Sequence, residues 1–335
     1  MGWRPVDFTP GGQPKVDETA LSGLREETYP GVSDLLKYKL VDKRLSQIME
    51  GKSAWLKRVK DGRLHGRVMA TGTRTGRMSH SSPNLAQVPR VGSFLGEECR
   101  ALFGPQDRGY LIGCDASGLE LRTLANRMHA FDGGAFAENV VDGDIHEVMR
   151  QASGLHSRNN QKTFTYAMLY GAGATKLGQT VAQDLREAGR PVNASENALG
   201  KQTHARLVKS LSGLGELLKA AKSAHKRGFI RLLNGLHVQS VSEHSALNTL
   251  LQGDGAVVMK EAQYLLDAWL RKSDLDYAWC LTVHDEFQLE SSNEEDAHAI
   301  GVLARDSIRE AGRRLGLHVP LDAEYKVGRN WEETH

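Results

Sequence analysis

Residues 110–128 read YLIGCDASGLELRTLANRM. The first five form an uncharged, mostly apolar run, and Asp115 stands where that run meets a polar break. Beyond it Leu119, Leu121, Leu124, Ala125 and Met128 recur at helical spacing, so the stretch predicts a strand that delivers a carboxylate into the start of a helix. A second stretch with the same habit lies far downstream. Residues 277–290, YAWCLTVHDEFQLE, predict two apolar strands around His284, Asp285 and Glu286, with the acids at the bend.

Working outward, 335 residues with 40% hydrophobic and 25% charged side chains suffice for a folded core and argue against disorder. The 35 glycines follow no three-residue period, which excludes collagen, and no apolar run is long enough to span a bilayer. The start, MGWRPV, lacks the apolar centre of a signal peptide and has Val6 where an acylation motif wants Ser or Thr, so the expectation is a cytoplasmic protein. Cys99, Cys114 and Cys280 are odd in number and widely spaced; they read as small buried hydrophobes in a reducing compartment.

A net charge of +2 conceals two basic clusters, Lys57 to Arg77 and Lys201 to Arg231, each holding one acid only. Two such clusters in a nearly neutral chain point to surfaces built for a polyanion. The first thirty residues, rich in Pro, Gly and Thr, predict an extended lead-in, and Val32 to Val59 a helix burying Leu35, Leu36, Leu40, Leu45, Ile48 and Met49. Gly62, Gly66, Gly72 and Gly76 punctuate short strands and turns between Arg63 and Met78. Residues 127–230 are mainly helical in pattern, with 158–169 the clearest segment, and 245–270 predicts a long helix. Ser292 with Glu295 predicts a capping box for the helix that follows.

Two constellations could carry chemistry. Asp115 and Asp285 could present oxygens together to a pair of hard divalent cations, the arrangement that serves phosphoryl transfer. They could equally be ordinary turn aspartates, and neither spacing nor composition pairs them. The second is sharper: Arg158, Lys162, Tyr166 and Tyr170 recur every four residues and share one slowly twisting helix face. The cations suit a triphosphate and a tyrosine ring offers stacking to a base. His146, near a helix start, could add a phosphate contact. The stretch from Gly171 to Thr180 nearly spells a phosphate-binding loop, but Gln179 replaces the required lysine and a helix precedes it, so it reads as the glycine-rich end of that helix.

The segments around Asp115 to Arg122, Arg158-xxx-Lys162-xxx-Tyr166-xxx-Tyr170-Gly171, and Val283-His284-Asp285-Glu286 resemble, in order, the three signatures of family A DNA polymerases. The chain is most similar to the replicative enzymes of short-tailed bacteriophages, over about residues 2–335. The resemblance implies an α+β right-hand polymerase fold with an antiparallel palm sheet, helical fingers and a partial thumb. Residues 1–60 would be the partial thumb, 61–125 and 236–335 the two parts of the palm, and 126–235 the fingers.

By the same resemblance Asp115, Asp285 and the carbonyl of Ala116 would hold two Mg²⁺ ions, with Mn²⁺ as a substitute and Glu286 beside them. Lys162 would act in catalysis and, with His146, Arg158 and Tyr166, bind the incoming deoxynucleoside triphosphate, while Glu120 would exclude a ribose 2′-hydroxyl. Arg77, Asn84, Gln87, Asn248, Gln252 and His284 would contact primer-template DNA, reading minor-groove acceptors that all correct pairs share. The implied activity is template-directed DNA synthesis in an infected bacterial cytoplasm, with no exonuclease in this chain and no membrane partner; either a second polypeptide supplies the rest of the thumb and an exonuclease, or the chain is a truncated or minimal polymerase. The alternatives are a single-subunit RNA polymerase, against which Glu120 argues, and a DNA-binding accessory subunit that needs a partner for activity.

Overall fold

The computed structural model describes the chain except for residues 1, 2, 6, 7, 10, 25, 107 and 108. Val6, read above against an acylation motif, lies outside the described residues. Among those described, no helix is long and apolar enough to cross a membrane.

Helix α1 (Glu18–Ser22), capped by the Asp17 side chain, precedes α2 (Val32–Leu45), which runs on as a π-helical turn over Ser46–Glu50. The apolar stripe expected to be buried here is not: Leu35, Leu45 and Met49 are exposed, and Leu36, Leu40 and Ile48 only half-buried. A stripe becomes core only where another element covers it, and α2 packs chiefly on α1 and its own continuation. The glycine-punctuated stretch forms hairpins as expected. β1 (Val59–Lys60) and β2 (Arg63–Leu64) turn through Asp61 and Gly62 at φ 51° and 74°, and β3 (Arg67–Met69) pairs with β4 (Ser79–Ser81). A 3₁₀ turn over Leu85–Gln87 and α3 (Gly96–Ala101) complete this part.

Strand β5 (Tyr110–Ala116) feeds α4 (Leu119–Asp132) through Gly118 in a left-handed conformation. A helical block follows: α5 (Ala135–Asp142), α6 (Ile145–Ser153), α7 (Arg158–Leu169), α8 (Ala174–Glu187), α9 (Glu196–Ser210) and α10 (Leu214–Lys226). The hairpin of β6 (Ile230–Arg231) and β7 (His237–Val238) closes it. Met128, Met149, Phe164, Leu207 and Leu214 lie fully buried at its centre. The glycine-rich stretch is only in part the end of α7: from Ala174 onward it belongs to α8. Its glycine serves packing, since a Cβ on Gly178 would lie 1.6 Å from the Glu196 carbonyl oxygen of α9.

The long α11 (Ala246–Leu270) returns the chain to the sheet, followed by β8 (Ala278–Val283), β9 (Glu286–Ser291), α12 (Glu294–Arg314) and β10 (Ala323–Gly328). The sheet is antiparallel, in the order β10-β5-β9-β8. Register sets its chemistry, because directly opposed residues point to one face. Cys114 opposes Phe287 and Ile112 opposes Leu289, all packed on α11 and α12, whereas Asp115 opposes Glu286 on the other face. Strand β10 is an element without counterpart in the sequence reading. The cap of α12 also differs from expectation: Asn293, not Ser292, caps it, accepting from the Asp296 amide at 2.8 Å. Cys99 and Cys114 are buried as expected, but the Cys280 thiol is exposed.

Between the helical block and the sheet, Arg127 of α4 grips the fully buried Asp254 of α11 through two hydrogen bonds, of 2.6 and 2.8 Å. Asp254 also accepts from the Leu233 amide at 3.0 Å, so one carboxylate joins α4, α11 and the segment after β6.

Candidate active site

The open face of the sheet carries the acids. Asp115 sits at the end of β5, and Asp285 in the two-residue loop between β8 and β9, behind His284 at φ 54°. The Ala116 amide donates to the Asp285 carbonyl at 3.0 Å, locking the two distant segments together. Neither aspartate is in an ion pair among the described residues. Burial, then the charges of Asp285 and Glu286, push the Asp115 carboxyl up to about 7; burial, then Glu120, push Asp285 up to about 6.

Glu286 differs. Burial alone would raise its pKa, but hydrogen bonds from His335, Gln288 and Trp331 outweigh it and hold it below the usual carboxylate value. Trp331 Nε1 donates to Oε1 at 2.7 Å, Gln288 Nε2 donates to the same oxygen, and the His335 ring lies 3.5 Å from Oε2. Gly113 makes room for this arrangement, since a Cβ there would meet the Thr334 carbonyl oxygen at 2.3 Å. Glu286 is therefore a satisfied acid, while the two aspartates have no ion pair among the described residues, and the fields of His335 on Asp115 and of Arg77 on Asp285 leave both pKa values raised.

Facing them is α7. The Tyr166 phenol is pushed up to about 12 by burial, then by the charges of Glu120, Asp285 and Asp115, so it stands within the field of the acids. Tyr170 donates to Glu120 Oε1 at 3.2 Å, and Arg77 donates to the same oxygen at 2.9 Å. Glu120 is thus fixed between two elements. Beside it, on α6, His146 is held toward its neutral form by burial and then by Arg158 and Lys162, so its imidazole lies within reach of both cations; its ring is 6.2 Å from Tyr166. Arg158 is paired with Asp144 at 2.7 Å, both exposed, while Lys162 points to solvent with no bond to the aspartates.

The DNA-contact candidates are less tightly gathered. Arg77 and His284 line one cleft with Met259 and Lys260 of α11, and Asn248 and Gln252 lie one turn apart on that helix. Asn84 begins the 3₁₀ turn whose last residue, Gln87, is exposed. Four buried side-chain atoms lack a partner among the described residues: Asn84 Oδ1, His146 Nδ1, Asn248 Oδ1 and Arg100 Nη1. Three of these residues are ones the sequence reading assigns to DNA or nucleotide. Buried polar atoms are normally paired, so orphans at these positions fit absent ligand partners.

The donor set fits hard divalent ions, since Asp115 and Asp285 supply oxygens and negative charge that no ion pair among the described residues neutralises and that His335 and Arg77 offset only in part. No group of three His, Cys, Asp or Glu side chains among the described residues is drawn together as a ready metal cage. Sequence reasoning missed Trp331, Gln288 and His335 around Glu286, which no local pattern marks. It also missed Asp144, whose place just before α6 was readable as a helix cap.

The family profile of DNA polymerase family A matches residues 1–333. The chain is 39% identical to the DNA-directed DNA polymerase of Enterobacteria phage T3 and, equally, to that of Escherichia phage T7. Each alignment covers all of this chain and 50% of the relative, so the chain spans about half the length of the curated relatives it matches. Its fold is similar to the POL domain of Pol1 from M. smegmatis, solved in complex with DNA primer-template and dNTP, with a TM-score of 0.80 at 23% identity over 99% of this chain and 58% of that one. The α+β polymerase architecture, the ordered signatures and the whole-length match together make this chain a member of DNA polymerase family A.

Proposed function

We propose that this chain adds deoxynucleotides to a primer 3′ end under the direction of a DNA template. One observation carries the proposal: two buried, charge-strained aspartates from distant strands face α7, which bears Arg158, Lys162 and Tyr166, with His146 of α6 beside them. The names of the phage relatives, DNA-directed DNA polymerases, support the same reading. Residues 61–125 and 236–335 would then be palm, 126–235 fingers and 1–60 part of a thumb, at work in the cytoplasm of an infected bacterium. The uncovered apolar face of α2 supports a second polypeptide lying against that thumb.

Asp115 and Asp285, with the Ala116 carbonyl, would hold two Mg²⁺ ions, or Mn²⁺, whose chemistry when bound is to acidify the primer hydroxyl and neutralise the departing pyrophosphate. The chain's own residues do the rest. Arg158 leaves Asp144 to take the triphosphate bidentately, Lys162 adds a point charge beside it, and neutral His146 donates or accepts at its free Nδ1. Tyr166 supplies a face for the nucleotide. Glu120, pinned by Arg77 and Tyr170, keeps one position and so meets a ribose 2′-hydroxyl with a clash instead of yielding. Asn84 and Asn248, whose amides can turn either nitrogen or oxygen outward, suit minor-groove atoms common to every correct pair. With groups fixed in this way, positioning and charge provide the rate.

The test is extension of a primed template by the purified chain with Mg²⁺, giving deoxynucleotides and ribonucleotides separately. Template-directed incorporation of deoxynucleotides alone is expected. Equal use of ribonucleotides would make it an RNA polymerase, and DNA binding without incorporation at any enzyme concentration would make it a binding subunit.

A further inference from the structure

We infer that Asp184, on α8 and outside the ligand-facing surface, is the positioning residue that presents Arg158 and Lys162 to the nucleotide; the inference rests on the function proposed above. Arg158 is the first residue of α7, and the first turn of a helix is where amides lack internal partners and ends fray. A phosphate grip built there needs that turn fixed by something else. The residue's own cap is weak: Ser157 Oγ accepts from the Asn160 amide at 3.4 Å. Asp184 does what the cap does not. One of its carboxylate oxygens accepts from the His156 amide at 2.8 Å, the other from the Ser157 amide at 2.8 Å, and Asn160 Nδ2 adds a third bond at 3.1 Å.

The carboxylate is 1% exposed and has no arginine or lysine at ion-pair distance among the described residues, Arg150 acting on it only through its field. A buried charge of this kind is stable only when its oxygens are filled by donors, and the donors here are the start of α7. Its negative charge also lies at the positive end of that helix. The His156 ring stands 3.4 Å from the same carboxylate, and Asn160 reaches past it to Glu187 at 2.7 Å. α7 and α8 are therefore tied at both ends: by the chain through Tyr170 to Gly173, and by Asp184 and Glu187 at the other. Arg158 and Lys162 lie on the outer face of the turns so held, which fixes the angle at which they meet a triphosphate.

The decisive variant is Asp184→Asn, which keeps the shape but has one acceptor oxygen for two amides that each need one, and turns an N–H₂ toward the other. In the full chain with saturating primer-template, KM for the deoxynucleotide should rise about tenfold and kcat should fall by less than the roughly 10²-fold that loss of Lys162 itself would cost, while primer-template affinity stays at the wild-type value. Hydrogen exchange over residues 156–160 should accelerate about tenfold or more, with α4 unchanged. Glu187→Gln, which weakens the outer bond to Asn160 together with an exposed one from Gln183 within α8, should move both readouts the same way by less. An unchanged KM in Asp184→Asn, a parallel loss of primer-template affinity, or unaltered exchange over 156–160 would overturn the assignment. The exchange measurement needs no catalysis, so it judges the anchoring even if the wild-type chain incorporates nothing. Should Asp184→Asn fail to fold, Glu187→Gln carries both readouts, and a wild-type KM there with unaltered exchange would overturn it.

Discussion

The floor and the wall of the site solve opposite problems. On the floor, Asp115 and Asp285 are anchored in a packed antiparallel sheet and hold charge that burial makes costly and no ion pair among the described residues relieves. On the wall, Arg158 and Asp144 hold charge that is paired but exposed, where an ion pair contributes little to stability. The floor is packed and has no ion-paired counter-charge among the described residues; Arg158 on the wall has one that it can exchange. Under the proposed function, such a division would let a fixed acidic centre await cations while a cationic helix trades a weak intramolecular partner for a phosphate.

The sharpest way to break this contrast is to remove the floor's charge. Asp285→Ala should lower the rate of primer extension by about 10³-fold or more, since it removes an oxygen donor for the ions that neutralise the transition state; near-wild-type extension would show that the floor is not the acidic centre. On the wall, Lys162→Ala should cost about 10²-fold in rate, the loss typical of one preorganised donor at a developing charge. Glu120→Ala tests the junction between the two, because Arg77 and Tyr170 fix it there: discrimination against ribonucleotides should fall by about tenfold with deoxynucleotide use less affected, read as the ratio of kcat/KM values.

A smaller effect follows from the floor's titration. Both aspartates have folded pKa values raised above the ordinary 3.8, so the folded chain retains protons that the unfolded chain has released. Stability from this pair is therefore present at low pH and lost as pH rises through roughly 4 to 7. Mg²⁺ should raise the melting temperature of the wild-type chain by roughly 2 °C more at pH 8 than at pH 5.5, and Asp115→Asn should flatten that difference. An equal shift at both values would remove the claim that the floor's charge is unrelieved.

Much of this contrast was legible in the sequence, and for definable reasons. A strand that ends in a carboxylate and a helix with a residue type repeated every four positions are local patterns, and β5, α7 and the β8–β9 turn lie where those patterns put them. What was not legible is what depends on partners. The stripe of α2 has the right period but no element to cover it, so its periodicity misled about burial. Cys280, expected in the core, opens to solvent. Glu286 looks like a further catalytic acid beside the metal-binding pair in sequence, yet Trp331, Gln288 and His335 arrive to occupy it. The hold of Asp184 on α7 was equally hidden, because its donors are backbone amides, which every residue but proline carries.

The most direct measurement is Mn²⁺ binding, followed by electron paramagnetic resonance, to the chain assembled with a primer-template lacking a 3′-hydroxyl and the matching deoxynucleotide. Binding to the wild-type complex should be lost or strongly weakened in Asp115→Asn and in Asp285→Asn alike, because the ions need oxygens from both. Full retention of binding in either variant would contradict joint ligation by the two strands.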